Sequence, residues 1–136
     1  MKYVLDTNTL SALMQGRHEV VDRLAAVKRA DVSVPHPVLA EIAYGIERLP
    51  QSRRRAGLQS RFNLLQSQFQ RCPWTDEVSE AFGRIKAALE KRGLRIEDFD
   101  AAIAAHAVAT GATLVTANAR QMTRVPGLLI EDWLKP

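Results

Sequence analysis

Four oxygen-bearing side chains stand where this chain could do phosphate chemistry. Asp6 ends the short β-prone run Tyr3-Val4-Leu5, and Glu41 lies about one turn into the helical segment that follows Asp31-Val32-Ser33-Val34. Asp100 sits in the first turn of a helical segment leading to the strand around Val115, and Asn118 comes two residues after Thr116. In open parallel sheets, ligands gather beyond the carboxyl ends of the strands, so four distant segments could meet at one sheet edge. Clustered carboxylates raise one another's pKa unless a cation is shared between them. Hard oxygen donors without a Cys or His cluster favour Mg²⁺ or Mn²⁺ over zinc, and carboxylate-held Mg²⁺ commonly serves phosphate chemistry.

Each residue also has an ordinary reading. Asp6 in Asp6-Thr7-Asn8-Thr9 is suited to cap the next helix. Glu41 alone fits a solvated helix face, and Asn118 alone fits a turn. Asp98 and Asp100 both suit a helix start, and lie about 200° apart, so at most one of them faces a given site. His106 lies among small apolar residues, Ala101 to Ala105 and Ala107 to Ala109, and reads as a structural histidine. His18 and His36 have no partner in the sequence. Cys72 has no ligand-spaced neighbour, and neither a P-loop nor a GxGxxG fingerprint occurs.

The elements that must position these residues alternate in type. Strands are predicted at 3–5, 31–34, 114–116 and 128–130. Helices are predicted at 9–14, 20–28, 38–48, from beyond Pro50 to about Gln70, from Thr75 or Asp76 to Arg92, and at 98–110. Pro37 suits a first turn, and Gly93 and Gly111 are natural stops. This alternation predicts a three-layer α/β fold with a central, mostly parallel sheet flanked by helices, formed by residues 1–136 as one domain.

The chain has 136 residues, 46% hydrophobic and 25% charged, which excludes disordered and collagen-like classes. A single cysteine excludes an internal disulfide, and the early Asp6 interrupts what an export leader would need, so a cytoplasmic protein without a membrane segment is expected. The net charge of +4 suits a polyanionic partner.

Val4-Leu5-Asp6-Thr7-Asn8, Ala40-Glu41-Ile42 with Tyr44-Gly45-Ile46-Glu47, Phe99-Asp100 through Ala107, and Leu114-Val115-Thr116-Ala117-Asn118 resemble the PIN domain, in that family's order. The ending Val125-Pro126-Gly127-Leu128-Leu129-Ile130-Glu131-Asp132-Trp133 is similar to that of VapC toxins. The resemblance implies a Mg²⁺- or Mn²⁺-dependent endoribonuclease, the toxin of a type II toxin–antitoxin pair, that cleaves RNA with metal-activated water. It assigns Asp6, Glu41 and Asp100 as metal-binding acids and Asn118 as the fourth catalytic position, where many PIN domains carry Asp. The missing charge leaves one metal or two open. Asn8 and Thr116 take supporting positions, with Asp98 in reserve. A homodimer and a VapB-like antitoxin are implied as partners, the antitoxin sending a basic side chain toward the acids.

From Arg48 to Arg61 there are five arginines and no acid. Arg53, Arg54 and Arg55 are candidates for RNA phosphates, and a solvated helix face is the alternative. Aromatics are only 6%, which points away from a single-strand stacking platform and toward folded RNA such as tRNA. Leu58, Phe62, Leu65 and Phe69 form a helical stripe that reads either as core or as part of an antitoxin groove. Two rival functions are a non-catalytic module of the same fold and a phosphoacceptor signalling domain. The latter lacks its acidic pair after the first strand and a well-placed lysine.

Overall fold

A computed structural model describes residues 2–135. Five parallel strands form one sheet: β1 (Tyr3–Leu5), β2 (Val32–Pro35), β3 (Gln70–Cys72), β4 (Thr113–Val115) and β5 (Leu129–Glu131), in the spatial order β3-β2-β1-β4-β5. Every pairing is parallel. Among the described residues, seven helices flank the sheet: α1 (Thr7–Met14), α2 (His18–Ala25), α3 (His36–Glu47), α4 (Arg53–Gln68), α5 (Asp76–Lys91), α6 (Asp98–Thr110) and α7 (Ala119–Met122). A 3-10 turn, Arg29–Asp31, leads into β2.

Local chemistry sets the helix ends. Ser52 accepts the N–H of Arg55 at 3.1 Å, and Thr75 accepts that of Val78 at 3.3 Å. Gly111 ends α6 in the left-handed conformation, φ 68°, where a Cβ would be strained. On α5, Val78, Ala81, Ile85 and Leu89 make one buried stripe, whereas α6 is buried from Ala101 through Ala107. Six of those seven residues are apolar and five are alanine, so neighbouring elements can pack closely around α6.

Two expectations need correction. The helix predicted to reach Gln70 stops at Gln68; Phe69 is extended, and Gln70–Cys72 pair with Ser33–Pro35 as the edge strand β3. Three residues of which only Cys72 is buried carry no period-two signal. The short helix α7 was likewise not predicted.

The register places the functional edge. Tyr3, Val4 and Leu5 pair with Thr113, Leu114 and Val115, so Asp6 and Thr116 emerge side by side past the strand ends. From β1 the chain crosses to β2 and β3; after α5 and α6 it returns to β4 on the other side of β1. The carboxyl ends of β1 and β4 therefore bound a topological switch point, where open α/β sheets form their ligand crevice.

Candidate active site

Asp6 performs two tasks. It is the N-cap of α1, with Oδ1 accepting the N–H of Thr7 at 2.7 Å. Its Oδ2 accepts the Thr116 hydroxyl at 2.7 Å, and its own N–H donates to the Val115 carbonyl at 2.9 Å. Only 3% of Asp6 is exposed. Burial pushes its carboxyl above the ordinary carboxylate range despite the two donors, and nearby Glu41 adds to the rise.

A polar network holds the strand ends. Thr116, fully buried, accepts the backbone N–H of Asn118 at 2.9 Å, and Asn8 Oδ1 accepts that of Ala117 at 2.9 Å. Asn8 and Thr116 thus support Asp6 and the β4 exit. Thr7, which sequence reasoning passed over, donates its hydroxyl to Glu41 Oε1 at 2.6 Å and so ties α3 to the start of α1. Its only sequence signal was its place within the Asp6-Thr7-Asn8 run.

Asp100 completes the group from α6. Burial, then the charges of Asp6, Glu41 and Glu97, push its carboxyl up to about 6. Among the described residues, no Lys or Arg forms an ion pair with Asp6, Glu41 or Asp100. The three acids are electrostatically coupled and lack a positive neighbour, which suits a shared hard cation. The side chains do not close a cage: among the described residues, no three His, Cys, Asp or Glu groups stand together as a ready-made metal site.

The remaining candidates lie apart from the acids. Asp98 binds Lys86 Nζ at 2.6 Å and is 68% exposed, two residues and a different helix face from Asp100. Asn118 reaches the site through its backbone; its side-chain amide donates to Gln121 Oε1 at 2.9 Å. His106 is fully buried, its Nδ1 donates to the Ala102 carbonyl at 2.7 Å, and it meets the edge of Trp74. Burial holds it low and therefore neutral, a structural role. Arg55 is also engaged, bridging Glu47 at 2.9 Å and the Leu49 carbonyl at 3.2 Å.

A groove of about 210 Å³ opens from Thr7 and Glu41 and runs between α1, α3 and α4 past Met14, Ile42, Ile46 and Leu58. The predicted stripe divides: Phe62 on α4 and Phe69 just beyond it enter the core, Leu65 packs against it, and Leu58 lines this groove.

The PIN-domain family profile matches residues 3–128. The chain belongs to the PIN-domain family. Within it, this PIN domain is 31% identical over 137 positions to ribonuclease VapC2 of Rickettsia felis, covering 99% of the chain and 100% of the relative. It is also 31% identical over 133 positions to the tRNA(fMet)-specific endonuclease VapC of Salmonella typhimurium, covering 98% of each. Among solved structures, DNA-bound VapBC of Salmonella typhimurium superposes with a TM-score of 0.89 at 27% identity, over 98% of each chain. VapBC2 of Rickettsia felis bound to a promoter DNA fragment superposes at 0.87 with 29% identity, over 98% of this chain and 99% of that one. These relatives make it a VapC-type PIN domain.

Proposed function

We propose that this single PIN domain is the toxin of a VapBC-type pair: a cytoplasmic endoribonuclease that hydrolyses phosphodiester bonds in folded RNA, depends on Mg²⁺ or Mn²⁺, and is silenced by a VapB-like antitoxin. The observation that carries this reading is the coupled, cation-free trio Asp6, Glu41 and Asp100 at the β1/β4 switch point. The names of the Rickettsia and Salmonella relatives support RNA as substrate, and the second supports tRNA.

Asp6, Asp100 and Glu41 would hold the ion, and their all-oxygen character suits it. When bound, the ion supplies a more acidic water and neutralises charge on the phosphoryl oxygens. The chain's own residues position the acids. Thr116 and Thr7 each donate one hydrogen bond to a different Asp6 oxygen, leaving each oxygen lone-pair capacity to spare. Thr7 orients Glu41 in the same way. Asn118 is anchored by its backbone N–H to Thr116 and by its side-chain amide to Gln121, and would serve as a polar contact for substrate or solvent beside the acids. Hydrolysis by water is the reaction, with no Ser, Cys or His nucleophile assigned.

Asp6→Asn preserves the cap and the shape while removing the charge. Cleavage of RNA in Mg²⁺ should fall at least a hundredfold, on the order of the loss of a key electrostatic group. A rate within twofold of the parent would refute the assignment.

The groove beginning at Thr7 and Glu41 fits an antitoxin segment with apolar side chains along Met14, Ile42, Ile46 and Leu58 and a basic one at the acids. Self-association has a separate surface. Trp74 and Phe99, nearly half exposed, gather with Phe82, His36 and Pro37 around an apolar hollow of about 320 Å³. Light scattering should find a dimer that Trp74→Glu with Phe99→Glu converts to monomer; an unchanged dimer mass would move the interface elsewhere.

A further inference from the structure

The groove has a neighbour at Leu58. Leu58 and Gln15 also line a second cavity of about 380 Å³, whose other walls are Arg53, Arg54, Gly57 and Arg61. The groove that starts at the carboxylates and an arginine-lined cavity at the start of α4 are therefore neighbours, meeting at Gln15 and Leu58. Among the described residues, none of these three arginines pairs with an acid, whereas Arg55 on the same turn is spent on Glu47. Arg61 is held at its place by donating to the Met14 carbonyl at 3.3 Å. The positive end of the α4 dipole adds to the same potential.

Two glycines inside helices line the two cavities, Gly45 on α3 and Gly57 on α4. A helix-interior glycine is less stable than alanine. Packing does not require either one, since an added Cβ would meet nothing within 4 Å. Their effect is to leave the lining of the two cavities without a side chain at these positions.

We infer that the cavity of Arg53, Arg54 and Arg61 holds a backbone phosphate of the same RNA strand whose scissile bond lies at the carboxylates, with the adjoining groove carrying the intervening chain. This rests on the nuclease reading and adds the direction in which substrate runs, from the sheet edge toward the amino end of α4. Guanidinium forks suit phosphate oxygens, and an arginine cluster without acids favours a polyanion.

The test is binding of unfractionated bacterial tRNA in excess chelator, where cleavage plays no part, across a salt series. Arg53→Gln with Arg54→Gln should weaken binding about tenfold and reduce the slope of log K against log salt by about one, the signature of one lost phosphate contact. Arg84→Gln with Arg92→Gln, an equal loss of charge on α5 and its end, should leave the slope unchanged. Gly57→Leu, which adds a side chain to the cavity lining, should weaken binding severalfold without lowering Tm. Equal slopes for the two double variants, or undiminished tRNA affinity in Gly57→Leu, would overturn the inference. So would loss of affinity for a VapB-like antitoxin peptide with tRNA binding intact, which would assign the cavity to the antitoxin. Failure of the nuclease reading shows separately, as absent Mg²⁺-dependent cleavage.

Discussion

At the scale of single residues, Asp6 shows how one carboxylate serves fold and chemistry together. Its cap bond and its bond from Thr116 hold it nearly still, and its burial raises the cost of its charge. Asp100 carries the same conflict in measurable form. Its carboxyl lies at about 6 in the folded protein, against an ordinary 3.8. A raised carboxylate stabilises the fold while protonated, so its contribution is full below about pH 3.8 and disappears as pH rises through about 6. Metal-free Asp100→Asn should therefore be more stable than the parent at pH 7.5, by about 1–2 kcal/mol after allowance for solvent screening. Near pH 4 the two should melt together. A Tm difference that stays constant between those pH values would show that Asp100 is not under this strain.

Elements decide which residues of a given type are available. Along α4, Phe62 is 3% exposed and Leu64 is 60% exposed, although both are large and apolar. Phe62 fastens the helix to the core and Leu64 does not. Phe62→Ala should cost about 3–5 kcal/mol in urea unfolding, and Leu64→Ala should stay within about 0.5 kcal/mol. Equal costs would mean that α4 docks by a different face. The same helix sorts its arginines, sending Arg55 to Glu47 and leaving Arg53 and Arg54 exposed. Asp98 and Asp100 divide likewise on α6, one toward Lys86 and one toward the acids. Helical period accounted for that division in advance, because two residues apart on a helix cannot share a face.

At the scale of the whole molecule, opposite charges line two adjoining cavities that share Gln15 and Leu58. The acids sit at the sheet edge, and free arginines lie across the groove at the start of α4. The acidic end repels itself without an ion, so ligand binding and stability are linked. Mg²⁺ at a hundredfold excess over its Kd should stabilise the fold by about 2.7 kcal/mol at pH 7.5. Asp6→Asn and Asp100→Asn should reduce or abolish that gain, which thermal melts with and without chelator measure. An equal Mg²⁺ gain in parent and both variants would place the ion elsewhere.

What the sequence determined by itself was local. The β-prone run ending at Asp6, a cap at Thr75 or Asp76 and the Gly111 stop act within a few residues and were readable from the chain alone, and the structure resolves the cap as Thr75. Asp6 and Asp100 stand at element starts that the pattern already marked, whereas Glu41, inside α3, was set apart from a solvated helix residue only by the resemblance. The tertiary structure alone decided how those ends meet. Thr116 bonds Asp6 across 110 residues, Thr7 bonds Glu41 across 34, and β3 exists only because β2 offers it an edge. Such contacts depend on sheet register and helix docking, which join segments whose relation no local period encodes.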